Sequence, residues 1–406
     1  MNKTVLLLFF LTFISCNSDD IDMSEEQGEP TQLIIGEKQY YPVENPYYIS
    51  WLDLNIFNND ILVSGISFKD NNSEGLFINY LDQNLNITDK KSPIRDQFNQ
   101  NSSFHNGNIE SRNIITIPQN NNLYIAYSYL TDYENKSMLI KTSNKGNLIW
   151  EKELDNKTFV NNFVIISNNL FVLKNLIVGN QENRKSSILI FDLNSNFINE
   201  INFPDEYKNF NDIISLDNES IILSCFKKEL GISEIEPYII KSDLQGNILW
   251  ELKLHTFFDF TFRYDNFIIN KTNNYILSVM PDRQNGRHIF CKVSFEGQLI
   301  WKKNITINNF PYNRFEFIED FKTDNNGNTY LIGAVNEQIG FGPRRMAIAK
   351  YDLNGNLEKS YYHRNENDEQ WGQSIDLTNK NIYTLSTNYP SHKVSLIKLN
   401  FDLEIE

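Results

Sequence analysis

The stretch KSDLQGNILWELKL (Lys241–Leu254) decides the fold, because close copies of it recur along the chain. Two of them are KTSNKGNLIWEKEL, from Lys141, and KVSFEGQLIWKKNI, from Lys292. In the first stretch Asp243, whose side chain can accept a backbone N–H, stands three positions before Gly246. That spacing is typical of a type I turn closed by a residue in the left-handed conformation, and such a turn joins two antiparallel strands. The stretch therefore predicts a β-hairpin.

The hairpin recurs seven times. Its glycine position holds Leu85, Gly146, Ser195, Gly246, Gly297, Gly355 and Leu403. The steps between these positions are about 50 residues, which is the size of one propeller blade. Upstream of each hairpin, turn residues separate two further apolar runs, so each copy holds roughly four short strands. A four-stranded antiparallel sheet repeated seven times predicts an all-β, seven-bladed β-propeller.

The last copy ends early, since NFDLEIE from Asn400 supplies only a stub of a fourth strand. The segment QLIIGEKQYYPV, from Gln32, lies outside the first copy. We expect this N-terminal segment to complete the last blade and so close the ring. The predicted propeller therefore spans residues 32–406.

The composition and the net charge limit the classes of partner that the chain can bind. The chain of 406 residues has a formal net charge of −15 and is 40% hydrophobic, enough to fill a large core. The acidic balance argues against nucleic acid, which requires a clustered basic face. It also argues against docking on anionic lipid, whereas a neutral glycan or a protein partner remains open. Cys225 and Cys291 lie in apolar runs and are interpreted as buried thiols, with a disulfide between them as the alternative.

The N-terminal residues have the pattern of a targeting signal. Lys3 is followed by the apolar run Val5–Ile14, which is too short for a membrane span of about 20 residues. The run ends in Ser15-Cys16, which resembles the lipobox of bacterial lipoproteins. That resemblance implies a signal peptide over residues 1–15 and acylation of Cys16, for example by palmitate. An ordinary signal peptide with an incidental cysteine is the alternative.

Residues 16–31 are acidic and have little apolar surface to bury, so they are predicted to be a flexible tether. The sequence NSDDIDMSEEQGEP after Cys16 resembles the acidic signal that sends Bacteroidetes lipoproteins to the outer face of the outer membrane. We therefore expect a lipid-anchored, cell-surface protein whose only membrane contact is the lipid on Cys16. A monomer is expected.

The four strands, the glycine turn and a following tryptophan resemble the tryptophan-docking propellers of the quinoprotein-like group. The tryptophans are Trp150, Trp250 and Trp301. TDNNGNTYLIG, from Thr323, resembles short bacterial propeller repeats. The resemblance covers about residues 45–406 and concerns architecture. Other copies hold Asp89, Asn199 and Lys359 at the tryptophan position.

Lys241 and its counterparts Lys141, Lys292, Lys350 and Lys398 are expected to be exposed strand residues.

No catalytic residue, metal site or cofactor is predicted. The five histidines share no metal-ligand spacing, and no nucleophile or phosphate-loop motif occurs. The vicinal cysteine pair of quinoprotein dehydrogenases is absent. The pair Arg344-Arg345 is interpreted as a solvated loop that could also grip a carboxylate. Carboxylates from different blades could still meet in space, as glycoside hydrolysis requires.

The loops between strands two and three, and between blades, lie on one face of a propeller, and here they are long and aromatic. Aromatic faces with polar neighbours suit sugars and protein hot spots. Predicted ligand-binding residues are Phe257, Phe258, Phe260, Tyr312, Arg314, His363 and Trp371. Packing of these side chains between blades is the alternative.

The sequence therefore favours a surface-anchored, non-enzymatic binding or scaffold propeller for a glycan or protein partner. Two alternatives stay open. One is a glycan-active hydrolase or lyase with carboxylates from several blades. The other is an envelope assembly scaffold, which rests on fold analogy alone.

Overall fold

The computed structural model describes residues 37–40, 42, 48–58, 60–69, 72–94, 114–130, 135–155, 158–176, 185–228, 235–254, 267–282, 287–308, 314–337, 342–363 and 368–405. These residues belong to one compact unit, Ile35–Glu406. The predicted signal peptide, the tether and Cys16 lie outside them. Among the described residues, none belongs to a helix long and apolar enough to cross a membrane.

The described strands form seven four-stranded antiparallel sheets, so the prediction of an all-β, seven-bladed propeller is confirmed. Blade 1 contains β2 (Tyr48–Phe57), β3 (Asp60–Lys69), β4 (Asn72–Leu81) and β5 (Ile87–Ile94). Blade 2 contains β6 (Ile114–Gln119), β7 (Asn122–Leu130), β8 (Asn135–Ser143) and β9 (Leu148–Glu153). Blade 3 contains β10 (Thr158–Ile166), β11 (Asn169–Leu176), β12 (Lys185–Asp192) and β13 (Phe197–Asn202).

Blade 4 contains β14 (Tyr207–Ser215), β15 (Ser220–Lys228), β16 (Ile235–Asp243) and β17 (Ile248–Lys253). Blade 5 contains β18 (Ile268–Lys271), β19 (Tyr275–Asp282), β20 (Arg287–Ser294) and β21 (Leu299–Asn304). Blade 6 contains β22 (Phe317–Thr323), β23 (Thr329–Asn336), β24 (Arg344–Tyr351) and β25 (Leu357–Tyr362). Blade 7 contains β26 (Glu369–Leu377), β27 (Ile382–Tyr389), β28 (Val394–Leu399) and, as its outermost strand, β1 (Glu37–Tyr40).

The N-terminal strand closes the ring, as predicted. β1 pairs antiparallel with β28, and Glu37 lies opposite Ile397. The C-terminal stub adds an isolated bridge between Leu399 and Ile405. The fourth-strand position of blade 7 is therefore shared by two segments from opposite ends of the described chain.

The repeated hairpin turn has the predicted geometry in all seven blades. The Gly246 N–H donates to the Asp243 carbonyl at 3.2 Å, and Asp243 Oδ1 accepts the N–H of Asn247 at 2.8 Å. The glycine position is left-handed throughout: φ is 63° at Leu85, 74° at Gly146, 69° at Ser195, 92° at Gly246, 83° at Gly297, 73° at Gly355 and 59° at Leu403. Where a side chain replaces glycine, this conformation costs about 1–2 kcal/mol.

The repeat tryptophans dock on the next blade. The indole N–H of Trp150 donates to the Leu193 carbonyl at 3.1 Å. That carbonyl lies in the turn of the following blade. A Cβ built on Gly297 would stand 2.6 Å from the ring of Trp250. Glycine in that turn therefore supplies both the left-handed backbone and the room for the neighbour's tryptophan.

The prediction that the repeat lysines are exposed was wrong, since all five are partly buried. Lys141 Nζ donates to the Leu193 carbonyl at 3.1 Å, and Lys292 Nζ donates to the Leu353 carbonyl at 3.3 Å. Both carbonyls belong to the turn of the next blade. These lysines thus join neighbouring blades, an outcome that depends on the neighbour rather than on the strand's own pattern.

The core lies between the blades. Seven clusters of buried apolar side chains fill the seven interfaces, each drawing on two neighbouring blades. Cys225 and Cys291 are free and buried, in agreement with their interpretation as buried thiols. Each blade is therefore stabilised by both of its neighbours.

Candidate functional site

The first strand of every blade is its innermost strand. The first strands of neighbouring blades contact each other around the central channel, but they do not form a common sheet, so each of them has one edge without a strand partner. Backbone N–H groups on such an edge need acceptors when they are enclosed. Side chains of the adjoining blade supply them. This requirement explains why the innermost strands carry so many polar residues.

Four aspartates on these strands act as acceptors: Asp53, Asp212, Asp320 and Asp376. Asp53 Oδ2 accepts the N–H of Thr116, in blade 2, at 2.6 Å. Asp376 Oδ2 accepts the N–H of Ile56, in blade 1, at 2.8 Å. Each carboxylate therefore bridges its own blade to the next one.

The other two aspartates bridge in the same way. Asp212 Oδ2 accepts the N–H of Ile269 at 2.8 Å. Asp320 Oδ2 accepts the N–H of Ile375 at 3.1 Å. With these bonds, aspartates link blades 7 to 1, 1 to 2, 4 to 5 and 6 to 7.

The remaining interfaces use serine and asparagine. Ser128 Oγ accepts the N–H of Val160 at 2.9 Å, between blades 2 and 3. The Asn162 amide donates to Asp212, between blades 3 and 4. Asn270 Nδ2 donates to the Phe321 carbonyl at 3.2 Å, between blades 5 and 6. A side-chain hydrogen bond thus crosses every one of the seven interfaces.

The second oxygen of three of these carboxylates is also engaged. Asp212 Oδ1 accepts the N–H of Ile213 at 2.8 Å, and Asp320 Oδ1 accepts that of Phe321 at 2.7 Å. Asp376 Oδ1 accepts the N–H of the following residue at 2.9 Å. These carboxylates hold the ring together, and their lone pairs are largely occupied.

Lys322 is the cation of this cluster, with Nζ 3.9 Å from Asp320 Oδ1. The charge of Asp320 is the largest cause that raises the pKa of Lys322, and the other channel aspartates add to it against the effect of burial. Burial raises the pKa of Asp53 to about 7 and that of Asp212 to about 6, although hydrogen bonds from backbone N–H groups oppose it. Two acids in the channel therefore titrate near neutral pH.

Metal ligation is a separate question. Within the described part of the chain, no group of three or more His, Cys, Asp or Glu side chains could hold a metal ion.

A second feature lies where β22, β24 and β26 begin, which is the face of the predicted functional loops. The Arg344 guanidinium stacks over the ring of Trp371, 4.5 Å from its centroid, and lies 5.5 Å from the centroid of Phe317. Arg344 Nε donates to Glu316 Oε2 at 3.0 Å, and Nη2 donates to Oε1 at 3.2 Å. The side chains of Arg344 and Glu316 are 31% and 32% exposed. These four residues form what we call the mouth cluster.

Arg345, beside it, points inward. Its side chain is 6% exposed, and its Nε donates to Glu337 Oε1 at 2.8 Å. Its Nη1 donates to the Asp368 carbonyl at 2.8 Å. The interpretation of Arg344-Arg345 as a solvated loop was therefore wrong, because both residues begin β24 and are paired.

A third feature joins β1 to the connection between blades 6 and 7. His363 Nε2 lies 2.9 Å from Glu37 Oε2, and His363 Nδ1 lies 2.6 Å from Gln370 Oε1. The side chains of His363 and Glu37 are 7% and 5% exposed. Burial alone would lower the pKa of His363, but Glu37 outweighs it and the pKa is raised. Burial alone would raise the pKa of Glu37, but His363 outweighs it and the pKa is lowered.

The structure describes three of the predicted ligand-binding residues. Arg314 is exposed just before β22, and Trp371 belongs to the mouth cluster. His363 is buried, and its two ring nitrogens contact Gln370 and Glu37. Phe257, Phe258, Phe260 and Tyr312 lie outside the described residues.

Sequence reasoning did not place Phe317 and Glu316 in a site, and it assigned Arg344 to a loop that could grip a carboxylate. Arg344 and Glu316 belong to the same blade but are 28 positions apart, and the stacking partner of Arg344, Trp371, lies in blade 7. The channel aspartates were also missed. They stand at different places in the first strands, since Asp53 lies opposite Ser64 and Asp376 lies opposite Tyr383 of the adjoining strand, so no fixed spacing indicated them.

Two solved structures resemble this chain at 10% sequence identity. A puromycin-hydrolyzing peptidase of Mycobacterium tuberculosis matches with a TM-score of 0.53 over 88% of this chain and 52% of the peptidase, so this chain spans about half of its length. The β-propeller domain of the Trilobed protease from Pyrococcus furiosus, described as having an open velcro topology, matches with a TM-score of 0.50 over 87% of this chain and 94% of that domain. At such identity the likeness shows the fold alone. Neither a protein-family model nor a curated protein matches the chain.

Proposed function

We propose that this chain is a lipid-anchored surface protein whose propeller binds a protein or glycan partner through its loop face, without catalysing a reaction. One observation carries the choice of binding over catalysis. The channel carboxylates accept backbone N–H groups from neighbouring blades, so the acids that a multi-blade enzyme would need are engaged in holding the ring.

The mouth cluster supports binding at the loop face. Tryptophan and arginine are enriched among the residues that dominate binding energy. Arg344 is held by stacking on Trp371 and by its two bonds to Glu316, so little side-chain entropy would be lost on binding. Arg314 adds an exposed cation on the same face.

Binding is tested with intact protein on cells, by glycan arrays and by cross-linking to neighbouring proteins. Arg344→Ala and Trp371→Ala should weaken capture of the partner at least about tenfold, as expected for hot-spot residues. Phe197→Ala is the matched control, because Phe197 is 56% exposed on the outer strand of blade 3, away from the loop face. Equal capture by all three variants would contradict the proposed surface. Capture of an outer-membrane β-barrel protein would favour the assembly-scaffold alternative.

The anchor is tested separately. Cys16→Ser should abolish labelling with radioactive palmitate and release the protein from the membrane fraction. Accessibility to protease on whole cells should show exposure at the outer surface. Labelling that persists in the variant would contradict acylation at Cys16.

A glycan-active enzyme is the second candidate, and the pKa values of Asp53 and Asp212 favour it. These values, about 7 and about 6, lie where general acids and bases work. The two acids come from blades 1 and 4, as the sequence hypothesis of carboxylates from several blades requires. Asp53→Asn and Asp212→Asn should abolish turnover of a glycan substrate if they are catalytic. If the parent protein turns over no glycan and the two variants differ from it only in stability, the result would support binding instead.

A further inference from the structure

We propose that Glu37, His363 and Gln370 form a proton-dependent latch that fastens the N-terminal strand to blade 7. His363 directly follows β25 and begins the connection to blade 7. Both of its ring nitrogens face oxygens, Glu37 Oε2 at 2.9 Å and Gln370 Oε1 at 2.6 Å. An imidazole donates from both nitrogens only when it is protonated. The geometry therefore favours a buried imidazolium.

The orientation of the Gln370 amide is fixed from the other side. Its Nε2 donates to Asn388 Oδ1 at 3.4 Å, and Asn388 Nδ2 donates to Ser395 Oγ at 2.8 Å. Ser395 lies opposite Gln39 of β1 in the strand register. The chain of polar contacts thus starts at β1, crosses β26, β27 and β28, and returns to β1.

Loss of the His363 proton would break this chain at one of its two ends. If Nε2 keeps its hydrogen for Glu37, the Nδ1 lone pair meets Gln370 Oε1, and two acceptors repel. Rotating the Gln370 amide would remove that repulsion but would end its bond to Asn388. A buried polar group without a partner costs about 1–3 kcal/mol, so either outcome weakens the closure.

The surrounding groups set the direction of the effect. Arg345, on β24, disfavours the imidazolium through its like charge, but Glu37 outweighs both this and burial. Glu37 also accepts Gln39 Nε2 at 2.7 Å and a hydrogen bond from Ser395. Tyr361, on β25, stays neutral because burial and the charge of Glu37 raise its pKa. His363 is thus the group of this cluster that loses its charge as the pH rises.

The sign of the linkage follows from the raised pKa of His363. The folded protein binds this proton more tightly than the unfolded chain, whose histidine has a pKa of about 6.5. The stabilisation is therefore complete below that value and is lost as the pH rises through the folded pKa. On the acid side it is lost only when Glu37, whose pKa is lowered, becomes protonated. The latch is predicted to hold in mildly acidic solution and to loosen in alkaline solution.

The test is hydrogen exchange of the β1 and β28 amides, corrected for intrinsic rates, between about pH 6 and about pH 9. In the intact protein, protection of Glu37–Tyr40 should fall at least about fivefold as the pH rises through the His363 titration, which corresponds to a cost of about 1 kcal/mol for one unpaired buried polar group. Protection of β13, in blade 3, should not change. In His363→Gln, whose amide cannot titrate, the pH dependence of β1 should vanish.

His392→Gln is the matched control, because His392 lies in the turn before β28 and outside the latch. This variant should retain the pH dependence of the parent. Should His363→Gln fail to fold, NMR titration of the parent protein decides: His363 should titrate above about 6.5 and His392 below it. A His363 pKa below about 6.5, or the same pH dependence in parent and His363→Gln, would overturn the proposal.

Discussion

Trp250 donates its indole N–H to the backbone carbonyl of Phe295 at 3.0 Å, and this bond joins the outer strand of blade 4 to the turn of blade 5. Trp301 occupies the same place one blade later and packs on Gly355, yet its indole makes no such bond among the described residues. Two equivalent tryptophans thus differ by one hydrogen bond. The pair allows the docking bond to be measured apart from the burial of the ring.

We expect Trp250→Phe to lower the free energy of unfolding by about 1–3 kcal/mol more than Trp301→Phe, because only the first change leaves a carbonyl without its donor. Urea denaturation measures the difference. Equal losses in the two variants would show that ring packing alone holds the blades at this position.

Gly297→Ala should destabilise the protein by at least about 1–2 kcal/mol, since φ at Gly297 is 83° and a side chain there is strained. The added Cβ would also stand 2.6 Å from the Trp250 ring, so the tryptophan must shift. Thermal unfolding and tryptophan fluorescence should both change. Ser195→Gly is the reverse control: it removes strain at φ 69° and should not destabilise the protein. A neutral Gly297→Ala would contradict this account of the turn.

Asp53→Asn should remove a pH dependence of stability. Burial raises the pKa of Asp53 to about 7, so the folded state binds the proton more tightly than the unfolded chain, whose aspartate has a pKa of about 3.9. The stability of the parent should therefore decrease as the pH rises between these two values. The asparagine carbonyl can still accept the N–H of Thr116, so the variant should lose this slope but keep the fold. Urea midpoints at about pH 5 and about pH 7.5 test it.

Ser128→Ala should cost about 1–3 kcal/mol, because the buried N–H of Val160 would lose its acceptor between blades 2 and 3. Ser215→Ala is the matched control. Ser215 Oγ donates to the Asp217 carbonyl at a partly exposed turn, where water can replace it. Similar losses in both variants would contradict the importance of this inter-blade bond.

Most of the architecture was predictable because its signals are local and repeated. The turn at Asp243 and Gly246 is determined by a few adjacent residues, and the seven copies of this turn give the number of blades. Closure by the N-terminal strand followed from the missing fourth strand of the last copy. Residue spacing alone was sufficient for these predictions.

The candidate sites were far less predictable, since they depend on which blades meet. Glu37 and His363 are 326 positions apart, and nothing near either residue indicates the other. Arg344 was assigned to a loop although it pairs with Asn336 in its own blade, and its stacking partner, Trp371, lies in the next blade. The lysine prediction was wrong for the same reason: the acceptor of Lys141 is a carbonyl of the neighbouring blade.

Ring closure also decides how the molecule unfolds. Every blade is packed between two others, so no blade is terminal and unfolding should be a single cooperative transition. If β1 detaches, blade 7 keeps its packing and its hydrogen bonds against blade 1, but it loses its outermost strand. The backbone groups of β28 that pair with β1 would then form an open sheet edge, to which a strand of another molecule could add. Four residues, Glu37–Tyr40, therefore protect an edge of blade 7 against intermolecular strand pairing.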